Sequence, residues 1–154
     1  MGSGTQRLHP IRPRAVRVDA VGRRLQPVEA DLAVTFDPVG LPLKPDVSAQ
    51  DFAAIDLRVG RVVAVDEFPE ARKPAWKLTV DFGPTIGVLR TSAQVTNYSA
   101  TQLLGRQVIG AVNLGTRRIA GFESQFLLIG GLAPDGTVSL LTPDADLPPG
   151  APVA

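Results

Sequence analysis

The stretch WKLTVDF at residues 76–82 decides the fold, because apolar and polar side chains alternate along it without interruption. Its four large apolar residues occupy every second position, and Lys77, Thr79 and Asp81 lie between them. A period of two is the pattern of a β-strand with one buried face. The dipeptide Gly83-Pro84 follows and predicts the end of this strand.

The same alternation continues on both sides of this strand. Upstream, Leu57, Val59, Val63 and Val65 are predicted to share one face of a first strand, with Gly60 as a bend or bulge. Downstream, the pattern predicts strands over residues 86–91, 107–114 and 125–129, then a turn at Asp135-Gly136 and a last short strand over residues 138–141.

One short helix interrupts the strands between the third and the fourth. Ser99 is a suitable N-cap, Gln102 stands three residues later as in a capping box, and Gly105 ends the helix. Five or six strands with one small helix in this place predict an all-β protein and suit a partly open Greek-key barrel. The pattern alone leaves a β-sandwich and an SH3-like barrel open.

Composition divides the chain near residue 50. Residues 1–49 are rich in Arg and Pro and hold seven Lys/Arg against five Asp/Glu, whereas residues 50–154 hold nine against ten. We predict that residues 1–49 form a mostly irregular N-terminal extension, although residues 15–18 and 32–36 have strand-like composition. Residues 50–154 are predicted to form one folded domain. An extension without a function, with the natural start near Val47, is an equally weighted alternative.

Several function classes lack the residues that they need. The chain has no Cys and one His, His9, which lies in the extension. Glu67 and Glu70 flank Pro69 in a loop, where solvated charges are a better interpretation than a catalytic carboxylate pair. No phosphate-binding or dinucleotide motif is present. We therefore expect a protein that is not an enzyme, with no metal, no cofactor and no membrane span, located in the cytoplasm.

Basic residues cluster around the predicted barrel. The group before and at the start of the second strand is Arg72, Lys73 and Lys77. The group after the fourth strand is Arg117 and Arg118, and the first strand carries Arg58 and Arg61. Such residues can track phosphates along a barrel surface. From charge alone, ordinary solvated side chains balanced by nearby acids are the simpler interpretation.

Four stretches together resemble one family. They are residues 55–60 (IDLRVG), residues 67–72 with Lys77-Leu78, residues 91–96 (TSAQVT), and Asn113-Leu114 followed by residues 117–124 (RRIAGFES). In order and spacing they are similar to CsaA-type tRNA-binding domains. The resemblance covers residues 50–154 and none of residues 1–49.

The resemblance implies an OB-fold, a five-to-six-stranded Greek-key barrel with one short helix between strands 3 and 4. It also implies a homodimer and two alternative partners. The first is tRNA, contacted by Ser92, Asn113, Arg117, Arg118 and Ser124, with the basic group Arg72, Lys73 and Lys77 nearby. The second is an unfolded or precursor polypeptide held by an export-related chaperone, for which Phe68, Tyr98 and Phe122 are the candidate apolar contacts.

Some residues depart from the family pattern or have simpler roles. Gly115-Thr116 replaces a Pro found in many relatives, and Glu123 stands where some relatives are basic. Asn113 and Ser124 are as well suited to satisfying backbone groups at strand ends as to contacting a ligand. A domain that serves mainly to dimerise the extension is a third alternative function.

Overall fold

The computed structural model describes residues 40–154 of the chain. His9 and the strand-like stretches 15–18 and 32–36 lie outside the described residues. Residues 41–48 have no regular secondary structure, and every residue from 40 to 55 is exposed. Within the described range, no helix is long and apolar enough to cross a membrane.

Short helices and strands follow one another from residue 49 onward. The helices are α1 (Ala49–Ala53), α2 (Gly83–Ile86) and α3 (Ala100–Leu103). The strands are β1 (Leu57–Glu67), β2 (Trp76–Asp81), β3 (Val88–Ala93), β4 (Gln107–Ala111), β5 (Arg117–Ile119), β6 (Phe122–Ser124), β7 (Leu127–Leu128), β8 (Gly130–Leu132) and β9 (Val138–Leu140).

Five of these strands form one antiparallel sheet in the order β3-β2-β1-β4-β7. Its two outer strands approach each other, because the backbone N–H of Gln125, just before β7, donates to the carbonyl of Arg90 on β3 at 2.8 Å. The side-chain oxygen of Gln125 accepts from the Arg90 N–H at 2.9 Å. The sheet is thus a nearly closed barrel, which confirms the predicted OB-fold. The pairs β5–β6 and β8–β9 form separate hairpins.

The core confirms the pattern that predicts β2. Leu78, Val80 and Phe82 are all fully buried, and the Phe82 ring meets Phe126 edge-on with centroids 4.9 Å apart. Gly60 lies beneath this ring. A Cβ at residue 60 would come within 2.5 Å of Val80 and 2.7 Å of Phe82. Gly60 is therefore needed for close packing.

The four apolar residues predicted to share one face of β1 are divided between its two faces. Gly60 points at the core ring, so Val62, two residues later, also lies in the core at 1% exposure, whereas Val63 lies outside it at 47% exposure. The pairing of β1 with β2 shifts between Val62 and Ala64, which is a β-bulge, and beyond it Val65 pairs with the buried Leu78 and packs against the core. One inserted residue thus places Val65 on the opposite face from Val59, a change that a strict period of two could not find.

The short helix α3 begins with the predicted cap. The Ser99 hydroxyl accepts from the Gln102 N–H at 3.2 Å, and the Gln102 side chain accepts from the Ser99 N–H at 2.8 Å. This reciprocal pair satisfies two donors that the helix leaves free. The helix buries Leu103 against the core.

Asn113 joins the entry of the domain to the end of β4. Its side-chain oxygen accepts from the Asp56 N–H at 2.8 Å, and its side-chain nitrogen donates to the Ala54 carbonyl at 2.7 Å. Both ends of the amide are therefore used within the protein. This side chain and the hydrogen bond from the Val112 N–H to the Asp56 carbonyl at 2.9 Å fix the residues between α1 and β1 against the barrel.

Replacing Gly60 by Ala should destabilise the barrel. The new methyl group would overlap Val80 and Phe82, and overpacking of this kind costs about 1–3 kcal/mol. Chemical denaturation followed by Trp76 fluorescence measures the free energy of unfolding. Gly131→Ala is the matched control, since its new Cβ would be 3.9 Å from its nearest neighbour. Equal stabilities for the two variants would contradict this account of the core.

Replacing Asn113 by Ala should also lower stability, by about 1 kcal/mol, because two backbone groups lose their partner and only water replaces it. Gln94→Ala, the removal of another exposed amide side chain, should leave the thermal midpoint unchanged. If Asn113→Ala had the same thermal midpoint as the wild type, the Asn113 side chain would not hold the segment before β1 to the barrel.

Candidate nucleic-acid interface

The outer face of β2 and β3 carries polar and basic side chains. Lys77 pairs with Ser92, and Thr79 pairs with Arg90. Directly paired residues of antiparallel strands lie on the same face, and the intervening Leu78 is buried. In OB-folds this face, together with the loops beside it, is the usual oligonucleotide-binding surface.

The hairpin β5–β6 lies against β3 at one side of this face. Arg117 pairs with Ser124 and Arg118 with Glu123 across the hairpin. The Thr91 hydroxyl lies 2.8 Å from the Ser124 hydroxyl and donates to the Phe126 carbonyl at 2.8 Å. Because Thr91 has only one hydroxyl proton, Ser124 must be the donor to Thr91. This buried contact fixes the base of the hairpin to the barrel.

Aromatic rings support the cations of this face. The rings of Phe68 and Phe122 pack with centroids 5.5 Å apart. The Lys77 ammonium lies 4.6 Å from the Phe68 centroid, and the Arg90 guanidinium lies 4.8 Å from the Phe122 centroid. Cation–π contacts of this length are attractive and restrict the positions of both side chains.

Two of the basic residues are partly neutralised by carboxylates. Lys77 lies 3.7 Å from Glu70, and Arg118 lies 2.8 Å from Glu123. Four others have no carboxylate within 4 Å among residues 40–154: Arg72, Lys73, Arg90 and Arg117. The face and its flanking loops therefore present uncompensated positive charge, although residues 50–154 as a whole are almost neutral.

The basic residues of β1 have other partners. Arg58 pairs with Asp56 and donates to the Gly150 carbonyl at 3.0 Å. The hydrogen bond with Asp56 raises the pKa of Arg58 above its ordinary value. Arg61 donates to the Gly105 carbonyl at 2.9 Å and pairs with Asp146. Both side chains hold the C-terminal segment and loops to the barrel, and neither joins the basic face.

The structure separates the five residues that the resemblance assigns to RNA. Ser92 is half-buried beside Lys77, and Arg117 and Arg118 are exposed on β5. Asn113 bonds to two backbone groups, as its alternative interpretation describes, whereas Ser124 bonds to the side-chain hydroxyl of Thr91 and not to a backbone group. Their contact with a ligand stays a prediction. Arg72 and Lys73 lie in the loop before β2, which also carries Phe68 and Glu70.

The three candidate peptide contacts do not form an exposed apolar patch. Phe68 is 5% exposed, and Phe122 is half-buried against it. The Tyr98 hydroxyl accepts from the Leu140 N–H at 3.1 Å, and the Tyr98 carbonyl accepts from the Trp76 indole N–H at 3.0 Å. A shallow, mainly apolar hollow does lie next to them, lined by Glu67, Phe68, Pro69, Pro74, Ala75, Trp76 and Thr96.

Arg90 and Thr79 also belong to this face, although no motif in the sequence assigns them to it. Both lie in or beside predicted strands, and alternation with their buried neighbours indicates that they point outward. They lie near Lys77 and Ser92 because of the register between β2 and β3, and this register cannot be read from the sequence. The hairpin β5–β6 was also missed, because its three-residue strands are mostly exposed and show no apolar alternation.

The tip of this hairpin has an uncommon backbone. Ala120 and Gly121 have φ angles of 46° and 80°, so both lie in the left-handed region. Gly121 adopts this conformation freely, whereas Ala120 does so at a cost of about 1–2 kcal/mol. The turn reverses the chain in two residues and keeps Arg117 and Arg118 on a short arm.

Residues 40–154 contain no group of His, Cys, Asp or Glu suited to hold a metal ion.

Comparison with known proteins identifies one family. The family model described as "Putative tRNA binding domain" matches residues 57–152. Methionine–tRNA ligase 1 of Sorangium cellulosum is 38% identical over 110 residues, which are 71% of this chain and 15% of that protein. The chain thus spans about one-seventh of the length of the ligases that it matches.

Two solved structures share the fold over their whole length. The CsaA chaperone protein of Picrophilus torridus has a TM-score of 0.67 and 43% identity, and covers 71% of this chain and 100% of its own. The CsaA chaperone of Bacillus anthracis str. Ames has a TM-score of 0.68 and 40% identity, with the same coverage. Because the matched range contains the barrel, its basic face and the arginine hairpin, this chain is a CsaA-like member of the tRNA-binding domain family.

Proposed function

We propose that this protein binds tRNA in the cytoplasm through its basic face, recognises backbone and shape, and performs no chemistry. The observation that carries the proposal is the set of four cations without a carboxylate partner around β2, β3 and their flanking loops: Arg72, Lys73, Arg90 and Arg117. Phosphate contacts from such side chains supply most of the affinity of proteins that read backbone and shape.

The polar groups of this face suit RNA. Arg117 and Arg118 extend from an exposed hairpin and can reach phosphate oxygens. Ser92 offers a hydroxyl group to sugars or base edges beside them. The local field remains modest, because Glu70 and Glu123 each neutralise one cation. A moderate affinity with a clear salt dependence is therefore expected.

We further propose that the protein is a homodimer joined through the residues that precede β1. This segment is held in place at its C-terminal part: Ser48 and Asp51 form a capping box on α1, and Asn113 fixes its end. It nevertheless buries no side chain of its own. Leu43, Val47 and Phe52 are 92%, 74% and 54% exposed. An ordered segment with exposed apolar side chains is well suited to pack against a second copy of the chain.

A polypeptide is the second candidate ligand, and the apolar hollow beside Trp76 is the observation that favours it. Its two prolines and two aromatic rings could hold an extended apolar segment. Unlike RNA binding, this mode should depend weakly on salt, since Glu67 and Thr96 are its polar members.

Removing the arginines of the hairpin should weaken tRNA binding. Anisotropy titrations of labelled bulk tRNA at several salt concentrations give the affinity and its salt slope. Arg117→Ala should reduce the magnitude of the slope of log affinity against log salt concentration by about one, because one phosphate contact is lost. Arg118→Ala should have a smaller effect, since Glu123 already pairs with that residue. Glu123→Gln should strengthen binding by a factor of about 1.4 to 5, since an exposed ion pair is worth about 0.2–1 kcal/mol.

Arg61→Ala removes one positive charge from a residue that pairs with Asp146 and does not join this face, and it serves as the control. It should bind like the wild type. Wild-type protein that failed to bind tRNA at low salt would refute the proposal. Quenching or enhancement of Trp76 fluorescence by unfolded peptides would then support the second candidate.

Phe52→Glu should convert the dimer into a monomer, because it places a charge in the proposed contact. Light scattering coupled to size-exclusion chromatography measures the mass at micromolar concentration. Leu132→Glu is the matched control, since Leu132 is 57% exposed but lies in the β8–β9 hairpin. A wild-type protein that elutes as a monomer would contradict the dimer and leave the tRNA proposal standing.

A further inference from the structure

We infer that Arg90 and Phe122 form a stacking site for one unpaired base of the bound RNA, an inference that rests on the proposed tRNA binding. The Arg90 guanidinium lies over the Phe122 ring, 4.8 Å from its centroid. Arg90 is exposed, so the guanidinium combines an aromatic support with access from solvent. Planar guanidinium groups stack on bases in the same way as aromatic rings.

The support beneath Arg90 packs against the barrel. The backbone N–H and carbonyl of Arg90 both bond to Gln125, at 2.9 and 2.8 Å, so the side chain starts from a fixed point on β3. The Phe122 ring packs against Phe68, which is 5% exposed. Because the guanidinium already lies over a ring in the free protein, the entropy cost of stacking a base on it is reduced.

The charge of Arg90 is available for a ligand. Within residues 40–154 no carboxylate lies within 4 Å of it. By contrast, three other arginines each pair with a carboxylate: Arg58, Arg61 and Arg118. Lys77, the second cation over these rings, is shared with Glu70. Of the two cations over the aromatic pair, Arg90 is therefore the one without an acidic partner.

The surroundings of Arg90 favour a loop nucleotide over a base pair. Arg117 pairs with Ser124, and Ser124 contacts Thr91, the residue after Arg90. These contacts place the hairpin that carries Arg117 beside β3, the strand that carries Arg90. Bases within a duplex are already stacked on their neighbours, so only an unpaired base can occupy such a site.

Arg90→Lys tests the inference, because it keeps the charge and removes the planar group. The two probes are an RNA hairpin with a seven-nucleotide loop and a blunt RNA duplex of equal length. We expect the variant to bind the hairpin about tenfold more weakly and the duplex as the wild type does. A 2-aminopurine in the loop should lose fluorescence on binding the wild type and lose less on binding the variant. Arg61→Lys, the same change in an arginine that pairs with Asp146 and does not join the basic face, is the matched control.

The stacking inference would be overturned if Arg90→Lys bound the hairpin and the duplex more weakly by the same factor. It would also be overturned if the variant bound both RNAs as the wild type does. If the wild type bound bulk tRNA while Arg90→Lys behaved identically, the stacking inference would fail and the tRNA proposal would stand. If the wild type bound neither RNA probe nor bulk tRNA, both would fail. Thermal midpoints of the variants check the fold, which an exposed side chain on β3 should not affect.

Discussion

The contact on which the barrel depends is that of the Phe82 ring with two glycines. A Cβ at Gly60 on β1 would come within 2.7 Å of this ring, and a Cβ at Gly110 on β4 within 2.8 Å. Strands that approach a ring so closely can curl around it, and Phe126 closes the remaining side. The interior is thus filled from β2 outward. The residues proposed to contact a ligand are consequently carried on the outside of the sheet and on the segments that join its strands.

The outer face is organised by the same strand alternation that fills the core. Leu78 and Thr91 point inward as a pair, and their neighbours Lys77, Ser92 and Arg90 point outward. Two further elements add to the face by packing aromatic rings together: the loop before β2 contributes Phe68, and the arginine hairpin contributes Phe122. A cation lies over each ring. Hydrophobic packing therefore fixes where the positive charge is presented, and acidic neighbours decide how much of it remains free.

Sequence reasoning succeeded where a signal was local. The alternation around Leu78 predicted β2, and the spacing of Ser99 and Gln102 predicted the cap of α3. It failed where geometry depends on partners distant in the chain. The bulge after Val62 reversed one face of β1, and Arg90 became part of the basic face only through the strand register. The sequence left two roles open for Asn113, a structural one and a ligand contact, and the structural role became visible only with its two backbone partners.

The arginine hairpin is attached to the barrel by few contacts. It has three residue pairs and a left-handed alanine at its tip, and it is held mainly through Phe122 and the hydroxyl of Ser124. Such an element can open locally while the five-stranded sheet stays intact, so its amide protons should exchange faster than those of β1 and β4. A ligand that grips Arg117 and Arg118 would then suppress this local opening. Part of its binding energy would be used to order the arm that holds it.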